Sequence, residues 1–146
     1  MAPEALKIEE AIALIARVPG YAPIAQNLAR RTVRYVPTLE DRGQATLLGV
    51  ILIGPEALQG SLVGLAETLV HEEFHTRQNH FLKTYSFWSG VFTRTPVMAR
   101  YERPAYQAAL DFLSALAAVS PEHSDEALAE YDMVQASFSA FYGARP

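Results

Sequence analysis

A change of hydrophobic period part-way along the chain limits the folds open to it. Pro3 to Val18 carries apolar residues at helical spacing, with Ile8, Ala11, Ile12 and Ile15 along one face. Pro19-Gly20 stops that helix, and Tyr21 to about Leu28 reads as a second, short helical segment. The period then drops to two. Thr32-Val33-Arg34-Tyr35-Val36 alternates and is rich in β-branched and aromatic residues, which predicts a strand. Glu40-Asp41-Arg42-Gly43 has turn chemistry, and Ala45 to Ile53 reads as a second, more buried strand. The two are expected to pair as an antiparallel hairpin. Gly54-Pro55 ends it, with Pro55 placed to open a short helix.

Helical spacing returns from about Ser61 to Asn79, from about Arg100 to Val119, and from near Pro121 to Tyr142, where Gly143 is a natural cap. The last helix is expected to pack through Leu128, Tyr131, Gln135, Phe138 and Tyr142. An aromatic-rich connection, Phe81 to Thr95, joins the first two of these helices and ends at Pro96. The expectation is one α+β domain over residues 1–146, mostly helical, with a small antiparallel sheet over about 31–53. It packs beside the helix of Ser61 to Asn79.

Composition removes several classes. The chain has 146 residues, is 50% hydrophobic and 19% charged, and has no cysteine. Disordered, collagen-like and coiled-coil readings fail on that balance, and neither a disulfide framework nor a thiolate metal site is available. A formal net charge of −4 argues against nucleic acid as a partner. Arg17, Arg30, Arg31 and Arg34 read as a solvated basic face. No apolar run approaches the ~18 residues of a membrane span. Glu4, Glu9 and Glu10 stand where a secretory leader would be basic and then apolar. A soluble, cytoplasmic protein is expected.

The chemistry concentrates at His71-Glu72-Glu73-Phe74-His75. On a helix, residues four apart lie about 40° apart around the axis and one turn apart along it, so both imidazoles can reach one ion. Glu72 projects on the flank, placed to touch water beside the ion without ligating it. Leu62, Leu65, Ala66, Leu69 and Val70 lie roughly opposite, so this helix is expected to pack on one face and present His71, His75 and Gln78 on another. Glu73 points away and reads as structural.

A third protein ligand is needed, and Glu102 is the leading candidate. It heads the helical stripe Ala105, Ala109, Phe112, Leu113 and Leu116, where an unpaired carboxylate would be costly. A zinc ion answers that cost, and so would an ion pair with Arg100 or Arg103. His80 lies off the metal face, Asp111 falls on the opposite side of its helix, and His123 reads as a surface residue.

The His-Glu-x-x-His motif followed by a glutamate on a later helix resembles the gluzincin branch of the zincin metallopeptidases. The resemblance spans about Val33 to Leu116. It implies a zincin-like fold, with Zn2+ held by His71, His75 and Glu102. Glu72 becomes the general base of a zinc-dependent metallopeptidase acting on a peptide or protein substrate. It also implies a sheet edge strand beside the motif helix, for which Val50-Ile51-Leu52-Ile53 is the candidate, open to main-chain pairing with a peptide. Many gluzincins carry an acidic residue four after the ligand glutamate; here it is Tyr106. Pro104 requires the helix to start near Tyr101. Tyr85, Tyr101 and Tyr106 are candidate oxyanion donors, and Tyr85-Ser86-Phe87-Trp88 a candidate pocket lining.

Two other classes remain to be weighed. One is a zincin-like module that binds metal or a partner without cleaving. The other is a helical bundle with a different metal role. Glu72-x-x-His75 is also the di-iron spacing, but that site needs two such pairs and the chain has one. A three-histidine bundle using His123 is incompatible with strands at 32–53.

Overall fold

The structure is a computed structural model and describes residues 2–78 and 96–142, with side chains from residue 99 in the second stretch. Six α-helices and three short strands make up the described residues: α1 (Pro3–Arg17), α2 (Ala22–Arg30), β1 (Val33–Tyr35), β2 (Gly43–Ala45), β3 (Ile51–Ile53), α3 (Pro55–Gln59), α4 (Leu62–Arg77), α5 (Pro96–Val119) and α6 (Ser124–Tyr142). A 3-10 turn, Pro121–His123, leads into α6. This is an α+β arrangement, mostly helical with a small sheet. No helix among the described residues is long and apolar enough to cross a membrane.

The sheet is mixed, which corrects the expected antiparallel hairpin over about 31–53. Strand order is β1-β3-β2, with β1 parallel to β3 and β2 antiparallel to it. The apolar run from Ala45 to Ile53 is not one strand but two strand ends and the turn between them. Gly49 adopts φ +83°, a conformation costly for any residue with a Cβ. Its N–H donates to the Thr46 carbonyl, and the Thr46 N–H donates to that of Val50. Leu48, within the run expected to be a buried strand, is 93% exposed at this turn. The hairpin is therefore β2–β3, and β1 joins β3 from the other side, Val33 opposite Ile51.

Helix α4 is the centre of the molecule. The Ser61 side chain caps it, accepting from the Gly64 N–H at 2.9 Å. Its residues are buried nearly all round, Val63 to Val70 together with Glu72, Glu73 and His75. The apolar face packs as expected and His71 and His75 line a cleft, but the helix is covered more completely than expected, by α1, α2 and α3 as well as α5, α6 and β2. Glu73 is structural, as expected. It accepts from Arg77 Nε at 2.6 Å and from Asn27 of α2, tying those helices together.

Helix α5 starts at Pro96 rather than near Arg100, so Pro104 lies inside it. Proline has no N–H, which leaves the Arg100 carbonyl without its helical donor. The stripe below Glu102 is buried as expected: Ala105, Ala109, Phe112, Leu113 and Leu116. The stripe expected for α6 holds in part, since Phe138 is buried and Tyr131 packs on the core. Ala127, Val134 and Phe138 are buried, and Leu128 is exposed. Phe81 to Thr95, with His80, Tyr85 and the Trp88 segment, lies outside the described residues, as does Gly143.

Candidate metal centre

One turn of α4 carries both imidazoles towards α5, and α5 returns Glu102 to them. The His71 Nε2 and His75 Nε2 atoms are 3.2 Å apart. Glu102 Oε2 is 3.1 Å from the first, and Glu102 Oε1 is 3.2 Å from the second. Ligands held at 2.0–2.1 Å in tetrahedral geometry sit about 3.3–3.4 Å from one another. The donor set and its spacing therefore fit a zinc ion. Protons alone satisfy it poorly, since each histidine nitrogen faces both the other nitrogen and a carboxylate oxygen.

His75 is fixed in the tautomer a metal requires. Its Nδ1–H donates to Gln78 Oε1, which leaves the Nε2 lone pair turned inward. The Gln78 amide is oriented in turn, since its Nε2 donates to the Tyr101 carbonyl at 2.9 Å. Gln78 closes α4 and ties it to α5 in one step. The Tyr101 ring stacks on His75 at 4.4 Å, and Tyr106 meets His71 edge-on at 4.8 Å. The Tyr106 hydroxyl bonds to Ser137 of α6. An aromatic ring thus stands at the position where many gluzincins carry an acid.

Electrostatics follow from burial. Burial by itself would raise the Glu102 carboxyl, yet hydrogen bonds from His71 and His75 hold it well below the usual carboxylate range. Burial would lower His71, but the Glu102 hydrogen bond and the Glu72 charge push it up to about 9. Burial raises Glu72, against the pull of His71, His75 and the Ala45 N–H. Burial likewise raises both tyrosines. These are the signs of a desolvated acid–imidazole cluster, common at sites of chemistry.

The triad opens into a cleft of about 1010 Å³ whose walls include β2, α4, the Tyr101–Tyr106 turn of α5, and α6. Beside the triad lies an ion network that sequence reasoning missed. Arg42 donates to Glu130 at 2.8 Å and to the Gly64 carbonyl at 3.2 Å, and its Nη1 is 3.5 Å from Glu67. Burial pushes the Glu67 carboxyl up to about 7 despite that guanidinium. Spacing held a signal for Glu67, one turn before His71, but nothing in the sequence pairs it with Arg42.

The strand bordering the cleft is β2, not Val50–Ile53; β3 is the central strand, paired on both sides. Ladder bonds run through Arg42 and Thr46, so Gly43 and Ala45 turn their backbone groups away from β3. The Ala45 N–H donates to the Glu72 carboxylate. Two rival ligands stay apart from the triad. Asp111 is bonded to Gln107 at 2.9 Å on the exposed face, and His123 Nδ1 lies 2.8 Å from Ser120 Oγ. In comparisons with known protein families, curated proteins and solved structures, nothing matches this chain.

Proposed function

We propose that this protein is a zinc-dependent metallopeptidase of gluzincin type, with His71, His75 and Glu102 as the metal ligands and Glu72 as the general base. The observation that carries the reading is the mutual spacing of His71 Nε2, His75 Nε2 and Glu102 Oε2, 3.1–3.3 Å, in a cleft that Glu72 also lines. A bound zinc ion would supply Lewis acidity, drawing the pKa of a water towards 7 and polarising a carbonyl.

The remaining work belongs to the chain. An extended peptide can lie along β2, where the Gly43 backbone and the Ala45 carbonyl face away from β3, with its scissile bond over the triad. Glu72, desolvated and steadied by the Ala45 N–H, accepts a proton as the water oxygen bonds to the peptide carbon. It returns that proton to the amine as the C–N bond breaks. Tyr101 and Tyr106 both line the cleft beside the histidines, where a hydroxyl can meet the oxyanion.

Glu72→Gln tests the proposal. The variant should keep one zinc per chain by metal analysis and lose hydrolysis by about 100-fold or more across a broad peptide library. Full activity in the variant overturns the role of Glu72. A zinc-loaded parent that cleaves nothing in the library points to the metal-binding module that does not cleave.

A further inference from the structure

The cleft is much larger than the triad needs, and its two ends differ in chemistry. Along α6, Met133, Val134 and Phe141 form an apolar wall, and Met133 and Phe141 each remain 47% exposed. At the entrance to β2, Glu40, Asp41 and Glu56 line the rim. Among the described residues none of these three acids is in a salt bridge. Arg42 is the one lysine or arginine among the cleft's described lining residues, and it is already engaged by Glu67 and Glu130.

We propose that the cleft selects cationic peptides, seating a large apolar side chain against Met133 and Phe141 and a lysine or arginine over Glu40, Asp41 and Glu56. The proposal rests on the reading of the cleft as a peptide site and adds the substrate class. Charge is the deciding argument. A divalent ion at the triad offsets Glu72 and Glu102, and Arg42 offsets only part of Glu67 and Glu130. Glu40 and Asp41 are exposed and outside any ion pair described, and Glu56 shares the Arg42 charge with Glu67 and Glu130, so the rim keeps a net negative field. An acidic peptide is repelled there, and so is a nucleic acid. The volume of about 1010 Å³ suits a peptide segment better than a single side chain. A strand rises about 3.3 Å per residue, so Asp41 lies about four residues along from Ala45. The basic residue therefore falls within about four positions of the bond above the triad.

The test measures binding apart from cleavage. Zinc-loaded Glu72→Gln protein is titrated into four fluorescent octapeptides combining Phe or Ala near the centre with Lys or Glu about four residues away. Anisotropy should show the Phe/Lys peptide bound about tenfold more tightly than either the Phe/Glu or the Ala/Lys peptide. Glu40→Gln with Asp41→Asn, both at exposed positions, should erase the lysine preference and keep the phenylalanine preference. Met133→Ala with Phe141→Ala should do the reverse. Equal affinity for lysine and glutamate peptides, a rim variant that keeps the preference, or no binding by any peptide overturns the proposal. Preferential binding by peptides that the parent never cleaves would remove the peptidase reading and leave this one standing. Cleavage without preference would do the opposite.

Discussion

At Gly43 a missing side chain decides where Glu72 sits. A Cβ there would fall 2.8 Å from Thr68 Cγ2, closer than real contacts allow, and a tight 3.0 Å from Glu72 Cγ. The absent methyl lets β2 lie directly on α4, and that closeness brings the Ala45 N–H to the Glu72 carboxylate. Gly43→Ala should push strand and helix apart by a few tenths of an ångström. We expect hydrolysis to fall about 10- to 100-fold, because a small misplacement of the base costs far more rate than stability. Zinc affinity, measured by competition with a chelating dye, should stay within about twofold, since His71, His75 and Glu102 make no hydrogen bond to β2 among those described. Loss of zinc in parallel with activity would show that the glycine merely holds the fold together. From sequence, Gly43 read only as a turn residue. Gln78 read only as a neighbour of the histidines on their face. Neither reading could see the second element that each one meets.

Elements were legible where one period governed them, and less so where two effects competed. Helices α1 and α4 and the end of α5 lie close to expectation because apolar spacing and the stops at Pro19-Gly20 and Ser120-Pro121 agree. The sheet did not follow. An apolar run hid a turn, because Leu47 and Leu48 are as hydrophobic as core residues and only Gly49 marks the reversal. The parallel pairing of β1 with β3 is a long-range choice that no local pattern encodes.

The same holds for the network joining β2, α4 and α6 through Arg42, Glu67 and Glu130. It makes a pH prediction. Burial raises Glu67 from the ordinary 4.5 to about 7, with Arg42 and His71 opposing and Glu130 and Glu72 assisting. A carboxyl raised on folding burdens the fold when ionised. The burden is fully present above pH 7 and is relieved as the pH falls towards 4.5. Glu67→Gln should therefore gain stability relative to the parent between pH 5 and pH 8, by roughly 1–3 kcal/mol in urea unfolding. A difference that is flat with pH would mean that Glu67 stays ionised in the fold.

At the scale of the whole molecule, the triad joins two long helices separated by the aromatic connection. Glu102 lies 27 residues after His75, and no local rule places the two together. What the sequence could supply was the cost of a carboxylate at the head of a buried stripe, and the stripe is buried as that argument requires. The expectation left open whether a metal or an arginine met the carboxylate, and Glu102 faces the two imidazoles rather than Arg100 or Arg103. Metal bound there is linked to folding, because the ligands converge only when α4 and α5 are docked.

Glu102→Ala should weaken zinc binding by about 100-fold or more, and it removes the partner of two largely buried imidazoles. Differential scanning calorimetry should then show a lower melting temperature and a smaller zinc-induced rise, with excess zinc restoring part of the loss. Zinc at about 1,000 times its dissociation constant adds roughly 4 kcal/mol to a protein that binds it only when folded. Asp111→Ala, on the exposed face of the same helix, should leave both affinity and the zinc-induced rise unchanged. If Asp111→Ala strips the metal and Glu102→Ala does not, the ion does not sit between α4 and α5, and the assignment of the triad falls with it.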